Sequence, residues 1–256
     1  MPTTAPAPHA PPPAIVLVRP REEGNIGSVA RAMANMGLET LILVEPAPQL
    51  GGVARGFGVG GWHVLEGAVR APDLESALAP FHRAVGTSSG RERPLKGRRI
   101  VESRRLPDVL GPAERVALVF GTEKSGLTAR ELDLCEPVLR IPCAAEHPTL
   151  NLAQAVLLVA YDLHLASRSN AAADSAARGR ERSEATEEDE RPTFAAREQL
   201  IERSGALIER LGFDQPHLHR TMLRDCRRML AGADPDARQV GLLRRLVERM
   251  LGRLEG

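Results

Sequence analysis

Short, almost purely apolar runs recur through the first two thirds of the chain and alternate with helical patterns. A strand that is apolar on both sides is covered on both sides, which is typical of a parallel sheet. The alternation therefore predicts an α/β domain with a mostly parallel sheet. The predicted strands are AIVLV from residue 14, TLILVE from 40, WHVLE from 62, RAVGTSS from 83, RVALVF from 115 and VLRIP from 138.

Helical patterns fill the gaps between these strands. The predicted helices cover 24–37, 73–80, 128–136 (capped by Thr128) and 150–165. In the first of them, Asn25 is a suitable N-cap and Gly37 a suitable residue after the last turn. Arg31 lies away from the apolar stripe of this helix. Gly27, in the first turn, costs up to about 1 kcal/mol relative to alanine, which indicates a role beyond simple packing.

A change in composition near residue 167 divides the chain. Residues 1–13 are rich in proline and predict a disordered tail, whereas residues 14–166 carry the α/β pattern. Residues 167–194 are charged and lack apolar periodicity, which predicts a linker. Residues 195–256 contain three amphipathic patterns, which predict a small, all-helical extension.

Charge and cysteine content restrict the classes of protein that fit. The 256 residues carry a formal net charge of only +1, so a wholly basic nucleic-acid binder is not indicated. No apolar run approaches the roughly 20 residues of a membrane span, and the N-terminus does not resemble a signal peptide. Three cysteines without metal-site or disulfide spacing fit a reducing compartment. We therefore expect a cytoplasmic protein that has no membrane segment and binds no metal.

One segment departs from this neutral balance. Between Arg91 and Arg105, seven Lys or Arg residues stand against two Glu residues, a local charge of +5. Such a segment suits the docking of a polyanion such as RNA. A solvated, flexible loop is the alternative interpretation.

Two glycine-rich stretches imitate nucleotide-binding motifs. GFGVGG at 56–61 has the GxGxxG spacing, but it lies between a loop and a predicted strand. The dinucleotide fingerprint instead follows a strand and opens a helix. GTEKSG at 121–126 has no lysine directly after its second glycine, as a P-loop requires. Neither stretch is therefore interpreted as a nucleotide site.

Three stretches lie directly after predicted strands, where a parallel α/β sheet places its ligands. The first contains Asn25, the second begins with Gly121 and Glu123, and the third is a loop that leads to Thr149 and Asn151. Local interpretations also exist. Glu123 fits a surface position in a glycine turn, Thr149 fits a helix N-cap, and Asn151 fits a residue that satisfies free backbone donors.

Together these stretches resemble the SPOUT-class RNA ribose methyltransferases of the TrmH type, over roughly residues 14–166. The family motif Asn-x-Gly-x-x-x-Arg matches Asn25, Gly27 and Arg31. The motif Phe-Gly-x-Glu-x-x-Gly matches Phe120, Gly121, Glu123 and Gly126. The third motif matches Ile141, Pro142, Thr149, Leu150 and Asn151, with threonine in place of the usual serine. The resemblance implies a trefoil knot near residues 120–150.

The resemblance also implies S-adenosylmethionine as the methyl donor. The positions that match the family's cofactor site are Thr87, Ser88, Ser89, Gly121, Ile141, Pro148, Thr149 and Leu150. Arg31 is placed at the acceptor 2′-hydroxyl, with Gly27 leaving room for the ribose. Asn25, Glu123 and Asn151 are expected to orient the loops around it. A guanidinium resists deprotonation, so two roles stay open for Arg31: a general base, or a group that orients the hydroxyl and stabilises developing negative charge.

The implied substrate is tRNA, and the implied assembly is a homodimer with its active site at the subunit interface. The helical extension and the GTSSG stretch resemble family members that methylate the pyrimidine ribose at position 32 of the anticodon loop. Ribosomal RNA as the substrate, or a non-catalytic RNA-binding role, are the alternatives; DNA is not an expected partner. The residues expected to contact RNA phosphates are Arg91, Arg93, Lys96, Arg98 and Arg99.

Overall fold

The computed structural model describes residues 11–47, 49–90, 95, 97–111, 114–176, 191–213 and 215–254. Most of the proline-rich tail lies outside these residues, as do residues 177–190 of the predicted linker. Arg91, Arg93 and Lys96 of the basic segment also lie outside the described residues.

A single parallel sheet forms the centre of the fold, as the sequence predicts. Its strands are β1 (Ala14–Val18), β2 (Leu41–Val44), β3 (Val69–Ala71), β4 (Arg83–Thr87), β5 (Ile100–Glu102), β6 (Val116–Phe120) and β7 (Val138–Arg140). Across the sheet their order is β3-β2-β1-β6-β4-β7-β5, and each neighbouring pair is parallel. The strands β1, β2 and β6 are buried along their whole length because helices cover both faces.

Helices pack on both faces of this sheet. They are α1 (Glu23–Asn35), α2 (Gly52–Phe57), α3 (Trp62–Glu66), α4 (Leu74–Leu78), α5 (Ala129–Asp133), α6 (Leu152–Ala176), α7 (Phe194–Arg210), α8 (Pro216–Ala233) and α9 (Ala237–Leu254), with a 3₁₀ helix at Ser103–Val109. Helices α1, α2, α3 and α6 share one apolar core with one face of the sheet. Helices α4 and α5 and the start of α7 share the other.

The predicted strand at WHVLE is wrong, because Trp62–Glu66 form helix α3. Val64 and Leu65 are both buried, although they are adjacent in sequence, so the run packs as a helix and not as an alternating strand. Gly61, just before the helix, allows this packing: a Cβ there would lie 2.6 Å from the carbonyl oxygen of Ala30 in α1. The short edge strands β3 and β5 escaped prediction because most of their residues are exposed.

The glycine in the first turn of α1 is explained by helix packing. A Cβ on Gly27 would lie 2.2 Å from the carbonyl oxygen of Ala54, so α2 approaches α1 where the side chain is missing. The expectation that Gly27 leaves room for a ribose is therefore wrong, since α2 occupies that space. Gly58 has a similar role, because a Cβ there would meet Ala54 and Leu65. Two glycines of the GFGVGG stretch thus support helix packing.

The helical extension is present as three helices, and it is anchored to the sheet domain. Phe194, at the start of α7, is buried in the core beneath α4, and its N–H donates to the carbonyl oxygen of Phe81 at 2.6 Å. Helix α6 continues to Ala176, so the segment predicted as a linker from residue 167 begins inside a helix. No glycine or proline interrupts this helix, which explains its length.

Candidate active site

A cavity opens at the carboxyl ends of three neighbouring strands, β6, β4 and β7. Its empty volume is about 880 Å³, a figure that includes the open mouth. Each of the eight positions predicted to hold the cofactor lines this cavity: Thr87, Ser88, Ser89, Gly121, Ile141, Pro148, Thr149 and Leu150. The structure therefore brings together three segments that are far apart in the sequence.

The loop after β6 forms one wall of the cavity. It folds back on itself, and Thr122 and Gly126 pair in an antiparallel bridge. A Cβ on Gly121 would lie 2.1 Å from the carbonyl carbon of Gly126, so this crossing excludes any larger residue at position 121. Gly126 has a φ of 60°, which favours glycine. The two motif glycines thus shape the backbone of the loop. The knot implied in this region stays a prediction.

The side chains of Glu123, Asn25 and Asn151 form a continuous hydrogen-bonded chain. The Asn25 amide nitrogen donates to Glu123 Oε1 at 3.1 Å, and the Asn151 amide nitrogen donates to Asn25 Oδ1 at 2.9 Å. Glu123 also accepts from the backbone N–H groups of Arg21 and Glu22 at 3.1 to 3.2 Å. One connection therefore joins the loops after β1, β6 and β7.

The surroundings of Glu123 keep its carboxyl group charged. Partial burial acts to raise its pKa, but the hydrogen bonds from Asn25 and from backbone N–H groups outweigh burial, and the pKa lies below its ordinary value. The carboxylate is ionised at neutral pH. In that state it accepts each of these hydrogen bonds, which holds the start of α1 against the loop after β6.

The predicted helix caps are partly wrong. Asn25 is not an N-cap, because α1 begins at Glu23 and the Asn25 side chain is engaged by Glu123 and Asn151. Asn151 itself caps α6, since its Oδ1 accepts from the N–H of Ala153 at 2.9 Å. The local interpretation of Asn151 is therefore confirmed, and its role in the active site stays a prediction. Thr149 is not the cap of α6, and it lines the cavity instead.

Arg31 lies on the exposed side of α1 and is not among the residues that line the cavity. It is six residues after Asn25, about 9 Å along the helix axis. Among the described residues it has no hydrogen-bond or ion-pair partner. The structure of a single chain therefore leaves its guanidinium available, outside the cavity.

The basic segment separates into residues with different surroundings. Arg98 is engaged within the protein: it donates to the carbonyl oxygens of Leu132 and Ala129 and pairs with Asp133 at 2.5 Å. The prediction that Arg98 contacts RNA is therefore wrong, because its guanidinium already binds the end of α5. Arg99 is exposed, as the prediction requires.

An ion pair beside the site escaped the sequence analysis. Arg19, at the end of β1, pairs with Glu131 at 2.5 Å, and Glu131 also accepts from the N–H of Thr128 at 2.6 Å. Partial burial acts to raise the pKa of Glu131, but the hydrogen bond from Arg19 and that from Thr128 keep it below its ordinary value. The Thr128–Glu131 spacing of a capping box was the available signal, and it predicted the cap but not the link to β1.

Within the described ranges, no three His, Cys, Asp or Glu side chains come together as a set of metal ligands. No helix in those ranges is long and apolar enough to cross a membrane.

Comparisons with known proteins agree with this architecture. Residues 12–161 match the model of the SpoU rRNA Methylase family. The tRNA (cytidine/uridine-2′-O-)-methyltransferase TrmJ of Pectobacterium atrosepticum is 32% identical over 243 residues, covering 90% of this chain and 92% of that protein. The protein of the same name from Photorhabdus laumondii is 34% identical over 233 residues, with the same coverage of both chains.

Solved structures extend the likeness to the helical extension. The crystal structure of TrmJ from Z. mobilis superposes with a TM-score of 0.75 at 26% identity, covering 93% of this chain and 98% of that one. A probable methylase family protein from Haemophilus influenzae superposes with a TM-score of 0.59 at 26% identity, covering 95% and 97%.

Proposed function

Because this chain belongs to the SpoU rRNA methylase family, we propose that it is a tRNA 2′-O-methyltransferase that uses S-adenosylmethionine and acts on the pyrimidine at position 32. Relatives that share 32% to 34% of their residues over 90% of the chain carry the name of a tRNA (cytidine/uridine-2′-O-)-methyltransferase. The enzyme class and the tRNA substrate follow from these relatives, and position 32 is the finer part of the proposal. The cytoplasm is the expected location.

The observation that carries the proposal is the junction of the three motifs at one cavity. Glu123, Asn25 and Asn151 come from separate motifs, yet they form one hydrogen-bonded chain at the cavity's edge. A protein that kept the fold only to bind RNA would not need these side chains in contact. The arrangement therefore supports a catalytic role over the non-catalytic alternative.

The cavity fits S-adenosylmethionine in its chemistry. Apolar residues, including Leu139, Ile141 and Leu152, share its wall with the hydroxyl-bearing residues Thr87, Ser88 and Thr149. Gly121 and Leu150 line the same space, and their backbone groups are proposed to contact the cofactor. When bound, the cofactor supplies an activated methyl group. These residues hold it in a fixed orientation, and positioning is a large part of such catalysis.

The hydrogen-bonded chain positions the residues around the acceptor. Glu123 holds the backbone at Arg21 and Glu22 and, through Asn25, the first turn of α1. Asn151 connects the same turn to the start of α6. In the proposed mechanism Arg31, farther along α1, contacts the ribose 2′-oxygen, orients it and stabilises the negative charge that develops there.

Two subunits complete the proposed site. Arg31 does not line the cavity of its own chain, so a partner subunit is the proposed means of bringing a guanidinium to each cofactor. Helix α6 carries an exposed apolar stripe that supports such a homodimer. Its members, Leu157, Leu158, Tyr161 and Leu165, are 39% to 46% exposed, and a homodimer interface would cover them.

Contacts to tRNA phosphates are proposed for the basic segment. Arg91, Arg93, Lys96 and Arg99 keep this role, whereas Arg98 is excluded by its contacts with α5. The local excess of positive charge favours a phosphate backbone of any sequence, so these residues are proposed to supply affinity and not base selectivity.

The test is methyl transfer from radiolabelled S-adenosylmethionine to unmodified total tRNA, with the product nucleosides mapped by mass spectrometry. We expect a 2′-O-methylated pyrimidine at position 32. Label at another tRNA position would overturn the position, and label in ribosomal RNA alone would overturn the substrate. The absence of transfer to both RNAs, with the cofactor bound, would contradict the enzymatic proposal.

A further inference from the structure

A second pocket lies between the sheet domain and the helical extension. It is bounded by the start of β4, the end of α5 and one side each of α7 and α8, and we refer to it as the junction pocket. None of its residues lines the candidate active site. Six arginines contribute to its wall, against three acidic residues, Asp133, Glu136 and Glu198.

Three of these arginines are neutralised by carboxylates. Arg83 Nε donates to Glu114 at 2.7 Å. Arg98 pairs with Asp133 at 2.5 Å. Arg227 forms a bidentate pair with Glu198, with contacts of 2.9 and 2.7 Å. A fourth, Arg228, lies 3.6 Å from Asp225.

Arg197 is partly buried, and its guanidinium group has no hydrogen-bond or ion-pair partner among the described residues. The nearby carboxylates are already engaged: Glu114 accepts from Arg83 and from the N–H of Gly111, and Asp234 accepts twice from Arg191. Burial, and next the charge of Arg83, lower the pKa of Arg197. A cation is thus held in positive surroundings without a hydrogen-bond acceptor.

Arg224 shows the same lack of an acceptor. Its Nε atom is buried and has no hydrogen-bond partner within the described part of the chain. The closest carboxylate oxygen to that atom, on Asp225, is 3.8 Å away, beyond hydrogen-bond distance. Buried polar groups without a partner are rare, and a bound ion or water molecule is among the features that explain them.

We propose that the junction pocket binds a phosphate-type oxyanion, held by Arg197 and Arg224. Guanidinium groups match the geometry of phosphate oxygens and form strong, charge-assisted hydrogen bonds with them. One such anion accepts from the Arg197 guanidinium and from the Arg224 Nε atom, and it offsets the excess of positive charge in the pocket. The anion also connects α7, which carries Arg197, with α8, which carries Arg224. The source is either a tRNA phosphodiester or a free phosphate compound.

Pyrophosphate is the probe for the site itself. Thermal unfolding is measured with pyrophosphate and with sodium chloride at equal ionic strength, for the unmodified protein, for Arg197→Gln and for Arg203→Gln. Arg203 is an exposed residue of the same helix and serves as the matched control. We expect pyrophosphate to raise the unfolding midpoint of the protein and of the control by about 3 °C or more, and to leave that of Arg197→Gln unchanged.

In sodium chloride, Arg197→Gln is expected to unfold at the same temperature as the unmodified protein or higher, because it removes an unpaired, partly buried charge. Arg224→Gln is the second variant, should Arg197→Gln fail to fold. An equal response of all variants to pyrophosphate, or no response of the unmodified protein, overturns the proposal. This measurement needs no methyl transfer, so its failure is distinct from failure of the proposed function.

The source of the phosphate is decided by tRNA binding at several salt concentrations. If a phosphodiester occupies the pocket, Arg197→Gln weakens tRNA binding and reduces the salt slope by about one, whereas Arg203→Gln does not. If tRNA binding is unchanged while the pyrophosphate response is lost, the site belongs to a free phosphate compound. If neither quantity changes in Arg197→Gln, the pocket is not an anion site.

Discussion

At the scale of single residues, three motif side chains hold one another in place. Glu123 accepts hydrogen bonds from two backbone N–H groups and from Asn25, which in turn accepts one from Asn151. Each of these bonds is made in the free protein, before any substrate is present. The loops that form the cavity are therefore organised in advance, which lowers the cost of ordering them on binding.

Glu123→Gln tests this positioning role. The pKa of Glu123 is depressed in the folded protein, so its charge stabilises the fold above the pKa of an unfolded-chain glutamate, about 4.3, and this stability is lost as the pH falls through the lower folded pKa. We expect the variant to be less stable than the unmodified protein at pH 7, with the difference shrinking below about pH 4.3.

The measurement is urea unfolding of both proteins between neutral and acidic pH. Methyl transfer by the variant is expected to fall roughly 10- to 100-fold, because the loops lose their alignment. A stability difference that stays constant across the pH range would contradict the role of the carboxylate charge.

Arg31→Ala tests the catalytic assignment. Arg31 is exposed and has no partner among the described residues, so its removal is expected to leave stability and cofactor binding unchanged. Methyl transfer is expected to fall about 100-fold or more, as for the loss of a group that stabilises developing charge. Asn35→Ala, one turn farther along the exposed side of α1, is the control. A transfer rate for Arg31→Ala within about a factor of two of the unmodified protein would refute the assignment.

At the scale of helices and strands, glycine residues set the distances between packed helices. Helices α2 and α3 are only six and five residues long, so few side chains hold them. They lie directly on the backbone of α1, at Gly27 and through Gly61. This close approach fixes the position of α1, and with it the positions of Asn25 and Arg31.

Gly27→Ala is expected to destabilise the protein, although alanine favours helices. The added Cβ meets the carbonyl oxygen of Ala54 at 2.2 Å, and the resulting shift between α1 and α2 costs about 1–3 kcal/mol. Gly56→Ala is the control, because a Cβ at that position meets nothing within 4 Å. Denaturant unfolding measures both variants, and equal stability of the two would show that α2 moves away without cost.

At the scale of the whole molecule, we propose that the site is complete only in a pair of subunits. The cavity and the hydrogen-bonded chain lie within one chain, but Arg31 is outside the cavity. The exposed apolar residues of α6 lie on the same helix that Asn151 caps. A dimer formed through α6 would therefore place the interface next to the site.

Mixing of two inactive variants tests the shared site. Arg31→Ala lacks the guanidinium, and Thr149→Trp fills the cavity of its own subunit. If each site combines the cavity of one subunit with Arg31 of the other, a mixed dimer contains one intact site. Co-expression in equal amounts is then expected to restore about one quarter of the unmodified activity, since half of the dimers are mixed and each has one of two sites. The variants expressed singly are the controls, and no recovery in the mixture would mean that Arg31 serves its own chain.

Local patterns in the sequence carried much of the fold and of the cavity. The principal strands were visible because a strand buried on both faces must be apolar throughout, as β1 and β6 are. The eight predicted cofactor positions came from a motif resemblance, and they line one cavity because the carboxyl ends of neighbouring parallel strands meet at one edge of a sheet. Information of this kind is local, so it survives without knowledge of the tertiary contacts.

Contacts between distant residues decided the rest. Asn25 is a good cap by sequence, but Glu123, 98 positions away, engages its side chain. Gly27 was expected to leave room for the substrate, but helix α2 occupies the space beside it. Arg98 was expected to contact RNA, but its guanidinium group binds the end of α5. The lack of an acceptor for Arg197 and for the Nε atom of Arg224 among the described residues was equally invisible in the sequence. These contacts depend on which helices and strands approach each other and on the distance between them. Only the packing of the whole chain determines that distance.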